Sequence, residues 1–127
     1  MADYRETVDY ILGIPLFAQK IGKENLSSLL CRLGNPEKAV PAIHVAGTNG
    51  KGSTCRALAQ MLAARGYRVG LFISPHLVSI NERIQINGTN ISDDDFVSAF
   101  ETVKGQFMEH PSFFEVMFAM AAVYFRQ

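Results

Sequence analysis

The chain has 127 residues, and its twelve Lys and Arg side chains balance twelve Asp and Glu side chains. This length is expected to form one domain with a buried core, and the balanced charge argues against a nucleic-acid partner. Two cysteines are too few for a disulfide framework, and the first residues lack the pattern of a signal peptide. The longest apolar run, residues 116–125, is shorter than the ~20 residues that span a membrane. We therefore expect a cytoplasmic monomer with no membrane partner.

The sequence begins with two amphipathic helices. Apolar residues recur at helical spacing in both, and Gly13 and Gly34 mark the points at which the helices are expected to end. The two apolar stripes consist of Tyr4, Val8, Ile11 and Leu12, and of Leu26, Leu29, Leu30 and Leu33. Both stripes are predicted to face the core.

A glycine-rich turn is predicted to join an apolar strand, residues 42–46, to a helix, residues 53–65. Its residues are Gly47, Thr48, Asn49, Gly50, Lys51, Gly52, Ser53 and Thr54. Such a turn directs successive backbone N–H groups toward an anion, and the helix adds unpaired N–H donors and the positive end of its dipole. We expect Lys51 to contact the outer phosphates of a nucleotide, and Ser53 or Thr54 to offer a hydroxyl to Mg²⁺.

The spacing of this turn differs from the common P-loop pattern, Gly-x-x-x-x-Gly-Lys-Ser/Thr. Val45 stands where the first glycine is usual, and Gly52 stands where the hydroxyl residue is usual. The alternative interpretation is an ordinary strand-to-helix turn that is rich in glycine. We favour a nucleotide site because the strand, the glycines, the lysine and the helix are all present in the required order.

A second strand is predicted at residues 68–73. The helix before it is expected to turn Leu58, Met61 and Leu62 inward. A strand, a helix and a strand of these lengths form a right-handed βαβ unit, so we predict an α/β fold: a P-loop domain whose parallel sheet is flanked by helices. Ligands of such sheets bind at the carboxyl ends of the strands. Ser74 directly follows the second strand and is therefore a candidate ligand of Mg²⁺.

A hairpin and a helix are predicted next. A short strand at residues 84–86 leads into Asn87-Gly88, a pair that is typical of hairpin turns. The following helix opens with three acids, and we interpret these as favourable charges at the positive end of the helix dipole rather than as a metal cluster. The acids are Asp93, Asp94 and Asp95.

The last helix is predicted to be enclosed. Ser112 and Glu115 have the spacing of a capping box. Residues 116–125 are apolar on every side of a helix, which requires burial all round. In an α/β fold such a helix leads into another strand, so we expect these residues to be the N-terminal part of a longer protein.

Four segments together resemble folylpolyglutamate synthase and the bifunctional dihydrofolate synthase, whose wider relatives are the Mur ligases. The segments are Gly47-Thr48-Asn49-Gly50-Lys51-Gly52-Ser53, Ser74-Pro75-His76-Leu77, Asn81-Glu82-Arg83-Ile84 and Ser112-Phe113-Phe114-Glu115. The resemblance extends over nearly the whole chain and implies the N-terminal, ATP-binding domain of a longer enzyme.

The resemblance implies ATP-dependent amide formation through an acyl phosphate. A carboxylate of folate or dihydropteroate would accept the γ-phosphoryl group, and the amine of L-glutamate would then displace phosphate. By the same resemblance, residues 47–54 hold the triphosphate with Lys51 as a catalytic residue, and Ser74 joins the Mg²⁺ shell. Ser112 and Phe114 match the pair that contacts the pterin. The family's other metal ligands and its glutamate-binding domain lie beyond this segment.

Two alternatives remain open. A Mur-type ligase, which joins amino acids to a nucleotide-linked sugar, usually has a hydroxyl residue directly after the P-loop lysine. Gly52 at that position favours the folate branch. The second alternative is that the chain is a nucleotide-binding or scaffolding segment without turnover. We expect these residues alone to be inactive.

Overall fold

The computed structural model describes residues 3–14, 23–43, 51–74, 78–107 and 111–127. The chain forms two compact units. The helical unit consists of Met1–Val40 and Asp93–Gln127, and the sheet unit consists of Pro41–Ser92. Within the described ranges, no helix is both long enough and apolar enough to cross a lipid bilayer.

The elements follow one another along the chain as helices, a small sheet and further helices. They are α1 (Tyr4–Leu12), α2 (Lys23–Arg32), a 3-10 helix (Pro36–Lys38), α3 (Lys51–Ala64), β1 (Gly70–Phe72), a second 3-10 helix (Ile80–Arg83), β2 (Ile84–Ile86), β3 (Thr89–Asn90), α4 (Asp93–Lys104) and α5 (Phe113–Arg126).

Helix α5 lies at the centre of the helical unit. It packs against α1, α2, α4 and the first 3-10 helix, and Phe118 is the half-buried residue within an otherwise buried stretch. The buried residues of this stretch are Val116, Met117, Ala119, Met120, Ala121, Ala122 and Val123. The prediction of an enclosed apolar helix is therefore confirmed for most of its length.

Helices α1 and α4 supply further core residues of the helical unit. On α4, Phe96, Phe100 and Val103 are buried, and the ring of Tyr4 meets the ring of Phe96 edge-on at 5.7 Å between centroids. Ile11 of α1 is buried as predicted. Leu12, the last residue of α1, is exposed, so its predicted place in the core is wrong.

Helix α2 ends in a Schellman motif, as its glycine predicted. Gly34 has φ 87°, and its N–H donates to the carbonyl of Cys31 at 3.0 Å, while the N–H of Asn35 donates to the carbonyl of Leu30 at 2.8 Å. A guanidinium nitrogen of Arg126 donates to the carbonyl of Leu33 at 2.8 Å. The last turn of α2 is thus tied to the end of α5.

The sheet unit contains α3 and a three-stranded sheet of order β1-β2-β3. Strand β1 pairs antiparallel with β2, with Gly70 opposite Ile86 and Phe72 opposite Ile84. Strand β2 pairs antiparallel with β3, with Ile86 opposite Thr89. Helix α3 packs against β1 and ends at Ala64, two residues before Gly66, which has φ 94°.

The hairpin between β2 and β3 was predicted correctly. Asn87 has φ 50° and Gly88 has φ 82°, and positive φ at both central residues defines the type I′ turn that suits the right-handed twist of two strands. The side chain of Asn87 also accepts a hydrogen bond from the N–H of Val69 at 2.8 Å. The turn therefore holds the chain segment that enters β1.

The sheet differs from the expected parallel arrangement. Its described strands pair antiparallel. The chain reverses direction between β1 and β2, and the Asn87-Gly88 turn reverses it again between β2 and β3. The strand that would pair parallel was predicted at residues 42–46. Residues 42 and 43 are not in a strand, and residues 44–46 lie outside the described residues, so the βαβ unit stays a prediction.

Candidate functional site

Most of the predicted glycine-rich turn lies outside the described residues. This applies to Gly47, Thr48, Asn49 and Gly50. Helix α3 begins at Lys51, two residues before the predicted start, so Lys51, Gly52, Ser53 and Thr54 form its first turn. The first turn of a helix carries N–H groups without a partner inside the helix and the positive end of the dipole. The side chains of Ser53 and Thr54 are exposed there.

Ser74 lies two residues after the end of β1 and is exposed. The N–H of Ile73 donates to the carbonyl of Arg83 at 3.0 Å, which continues the antiparallel pairing up to the residue before Ser74. The hydroxyl of Ser74 is therefore presented at the end of a strand, as the sequence predicted. Pro75, His76 and Leu77 lie outside the described residues.

The segment Asn81-Glu82-Arg83-Ile84 forms the second 3-10 helix and the start of β2. A capping box lies at the N-terminus of this 3-10 helix. In it, Oε2 of Glu82 accepts hydrogen bonds from the N–H groups of Val78 and Ser79 at 2.9 and 2.8 Å. Asn81 is 4% exposed, and its Nδ2 donates to the carbonyl of Ile91 at 2.7 Å. These contacts assign Asn81 and Glu82 to the architecture of the sheet unit.

Arg83 is half-buried beside this box. Desolvation by burial lowers the pKa of its guanidinium from the ordinary value. An arginine remains a cation at neutral pH despite such a shift, so Arg83 places a positive charge within the segment that follows Ser74.

Ser112 and Glu115 form the predicted capping box at the start of α5. The N–H of Ser112 donates to Oε1 of Glu115 at 2.9 Å, and the N–H of Glu115 donates to Oγ of Ser112 at 3.3 Å. Phe114 lies between them and is 52% exposed. Its ring stacks on the ring of Phe118 at 5.9 Å between centroids and 29° between planes.

Phe118 is a residue that the sequence analysis missed as a candidate. It follows Phe114 by four residues, and residues four apart lie on the same face of a helix. The spacing indicates that Phe118 and Phe114 are neighbours, whereas the apolar run of residues 116–125 predicts that Phe118 is fully buried.

A shallow groove of about 210 Å³ lies in the sheet unit between α3, β1 and the hairpin. Its lining residues are Arg56, Ala59, Gln60, Ala63, Leu71, Gln85, Asn87 and Gly88. Helix α3 therefore lines the groove with two alanines and two polar residues. Met61, which was predicted to turn inward, is 65% exposed, so that part of the prediction is wrong.

In the described part of the chain, no three His, Cys, Asp or Glu side chains group together to hold a metal ion. The three acids of α4 lie in its first turn, where negative charge stabilises the helix dipole. Their interpretation as helix-terminal charges agrees with this position.

No family model matches the sequence. The dihydrofolate synthase/folylpolyglutamate synthase of Bacillus subtilis is 40% identical over 131 residues, which cover 98% of this chain and 30% of the relative. The crystal structure of folylpolyglutamate synthase from Thermotoga maritima matches with a TM-score of 0.89 and 42% identity, over 97% of this chain and 30% of that chain. A complex of folylpolyglutamate synthase with AMPPCP and folate matches with a TM-score of 0.91 and 39% identity, over 98% of this chain and 32% of that chain. The chain thus spans about 30% of the length of these proteins.

Proposed function

We propose that this chain, a homologue of the folylpolyglutamate and dihydrofolate synthases, supplies the N-terminal, ATP-binding part of a ligase of that family. The observation that carries the proposal is the match to the complex with AMPPCP and folate, at 39% identity over 98% of this chain. The reaction proposed is the ATP-dependent joining of L-glutamate to folate or dihydropteroate. The finer fold, a P-loop domain with a parallel sheet, belongs to the same proposal.

The proposed nucleotide site is the turn of residues 47–54. Phosphoryl transfer depends on positioning and on neutralising charge more than on covalent chemistry by the protein. The N–H groups of the first turn of α3 supply fixed donors for phosphate oxygens. Lys51 would place its ammonium on the outer phosphates and neutralise charge as the γ-phosphoryl group leaves ADP.

The residues present also suit a magnesium ion. Exposed hydroxyls at Ser53, Thr54 and Ser74 are neutral oxygen ligands, and Mg²⁺ is commonly bound by a few protein oxygens together with substrate phosphates and water. A magnesium ion bound there would neutralise phosphate charge. Ser74 would hold it from the end of β1, and Ser53 or Thr54 from the first turn of α3.

The proposed folate contacts are Ser112 and Phe114. The exposed ring of Phe114 offers a flat apolar face on which a pterin can stack. Oγ of Ser112 accepts a hydrogen bond from the helix, but a hydroxyl also carries its own proton. Ser112 can therefore donate to an acceptor atom of the ring system while it caps the helix.

The ligation itself would proceed in two steps. A carboxylate oxygen of the folate substrate attacks the γ-phosphorus, and the bond to ADP breaks, which gives an acyl phosphate. The amine of glutamate then attacks the acyl carbon, phosphate leaves, and the amine loses a proton. The residues of this chain would act in the first step, by holding the nucleotide and the pterin.

A second candidate is nucleotide binding without turnover by these 127 residues. It is favoured by the observation that the chain spans only about 30% of the length of the relatives it matches. Phosphate release by the 127 residues alone, dependent on folate and glutamate, would exclude this candidate.

The experiment that tests the proposal measures ADP formation by the complete natural protein. We expect ADP only when ATP, Mg²⁺, glutamate and either dihydropteroate or folate are all present, and we expect Lys51→Ala to abolish it. ADP formation that requires a nucleotide-linked sugar instead of a folate would show a Mur-type ligase and overturn the proposal. ADP formation that ignores all acceptors would also contradict it.

A further inference from the structure

The start of α5 exposes an aromatic surface on an otherwise buried helix. Phe114 is 52% exposed, whereas Phe113 on one side of it and Val116 on the other are buried. Phe118, half-buried, stacks against the Phe114 ring from one turn further along. The Phe114 ring therefore has a neighbouring ring stacked on it and still exposes about half of its surface to solvent. A flat ring held in this way is a platform for a second flat ring.

The capping box fixes the backbone from which this ring projects. Oε1 of Glu115 accepts from the N–H of Ser112 at 2.9 Å, and Ser112 is held in an extended conformation with φ −71° and ψ 169°. Phe113 anchors the next position in the core. Phe114 is thus attached to a segment that is fixed before it, by the box, and after it, by the buried helix.

The two hydrogen bonds of the box have different consequences for Ser112. The bond from the N–H of Glu115 uses one lone pair of Oγ and orients the hydroxyl. The bond from the N–H of Ser112 to the Glu115 carboxylate fixes the main chain. Loss of the carboxylate would remove the bond that fixes the main chain of Ser112, whereas the bond from the N–H of Glu115 to the hydroxyl would remain. The hydroxyl and the ring would then be attached to a less firmly held start of α5, although neither is chemically altered.

We infer that Glu115 is a positioning residue for folate binding, and that Phe118 backs the Phe114 platform; this inference rests on the proposed function. Glu115 acts through the main chain of Ser112 and through the start of α5. It determines the positions from which the Ser112 hydroxyl and the Phe114 ring would contact a flat heteroaromatic substrate.

Substitution of Glu115 tests this role, because glutamine also closes a capping box. In the complete natural protein, we expect Glu115→Ala to raise the KM for folate about tenfold, with KM for ATP unchanged and kcat within about twofold. Glu115→Gln should restore the KM for folate. Phe118→Leu, which removes the backing ring, should also raise the KM for folate and leave that for ATP unchanged.

Asp3→Ala is the matched control. Asp3 caps α1 of the same helical unit by accepting from the N–H of Glu6 at 2.8 Å, so its loss removes a helix cap without touching α5. Asp3→Ala and Glu115→Ala should lower the melting temperature by similar amounts, but only Glu115→Ala should change the KM for folate. An equal change in both variants would overturn the inference by showing a general effect of stability.

The remaining outcomes separate the inference from the proposed function. If Phe114→Ala raises the KM for folate but Glu115→Ala does not, the positioning role is wrong and the ligase assignment stands. If Phe114→Ala leaves the KM for folate unchanged, the proposed folate contact itself is wrong. If Glu115→Gln fails to restore the KM, the carboxylate has a role other than closing the box, and the inference is again overturned.

Discussion

Substitution of Asn81 tests whether the segment Asn81-Glu82-Arg83-Ile84, which resembles a ligase family, stabilises the fold instead of binding a substrate. Its Nδ2 donates to the buried carbonyl of Ile91 at 2.7 Å, and the hydroxyl of Ser79 donates to its Oδ1 at 3.2 Å. Asn81→Ala removes both hydrogen bonds and leaves the Ile91 carbonyl without this donor. Because Asn81 is buried, water cannot easily replace the lost amide.

The expected loss of stability follows from these two bonds. Each buried hydrogen bond contributes about 1 kcal/mol net, and a carbonyl left without its donor costs more. We therefore expect Asn81→Ala to lower the free energy of unfolding by about 2 kcal/mol. At a urea dependence of about 2 kcal/mol per molar, the unfolding midpoint would fall by about 1 M.

Urea unfolding followed by circular dichroism measures this shift. Asn90→Ala is the matched control, because it makes the same chemical change at an exposed position of β3 in the same unit, and its effect should stay within about 0.5 kcal/mol. The affinity for an ATP analogue should be the same in the folded forms of both variants. The architectural role of Asn81 is contradicted if Asn81→Ala keeps full stability, or if the variant loses nucleotide binding without losing stability.

Four further substitutions, one of them a control, have expected outcomes. Gly88→Ala should lower the free energy of unfolding in urea by about 1 kcal/mol, because the φ of 82° at this position is unfavourable for alanine, although the added Cβ meets open space. Gly105→Ala is the control: its position has no positive φ, so the substitution should be neutral or slightly stabilising. Arg126→Met should cost about 1 kcal/mol in the same assay, because the Leu33 carbonyl loses its guanidinium donor, and unchanged stability would show that this bond is not formed in solution. Ser74→Ala should raise the Mg²⁺ concentration required for half-maximal activity, and an unchanged requirement would remove Ser74 from the proposed metal shell.

Much of the local structure could be predicted from the sequence because it depends on short-range rules. The capping box of Ser112 and Glu115, the end of α2 at Gly34 and the Asn87-Gly88 turn each need only residues within a few positions of one another. Their geometry was confirmed in each case. The first turn of α3 also lies close to where the glycines and Lys51 predicted it.

The features that the sequence did not reveal depend on which surfaces meet. Helical spacing identifies residues that share a face, but it does not say which face is covered. On α3, Ala59 and Ala63 line the groove beside β1, while Met61 is exposed. The bond between Arg126 and Leu33 joins residues 93 positions apart, and no local pattern indicates such a pair.

The architectural role of Asn81 and Glu82 was likewise hidden in the sequence. The Glu82 carboxylate caps the second 3-10 helix, a role that the neighbouring residue types alone do not indicate. The main-chain carbonyl to which the Asn81 side chain donates lies ten residues later, at Ile91. A segment that marks a family can therefore stabilise the fold beside a site without contacting a substrate.

The central claim, that residues 47–54 bind the triphosphate, is tested most directly by calorimetric titration of Mg²⁺–AMPPCP into the complete natural protein. We predict that Lys51→Ala weakens binding at least tenfold, or about 1.4 kcal/mol, because an ammonium on the outer phosphates is lost. Lys38→Ala, which removes an equal charge from an exposed position of the first 3-10 helix, should bind as the unaltered protein does. Equal affinity in all three proteins would contradict the claim.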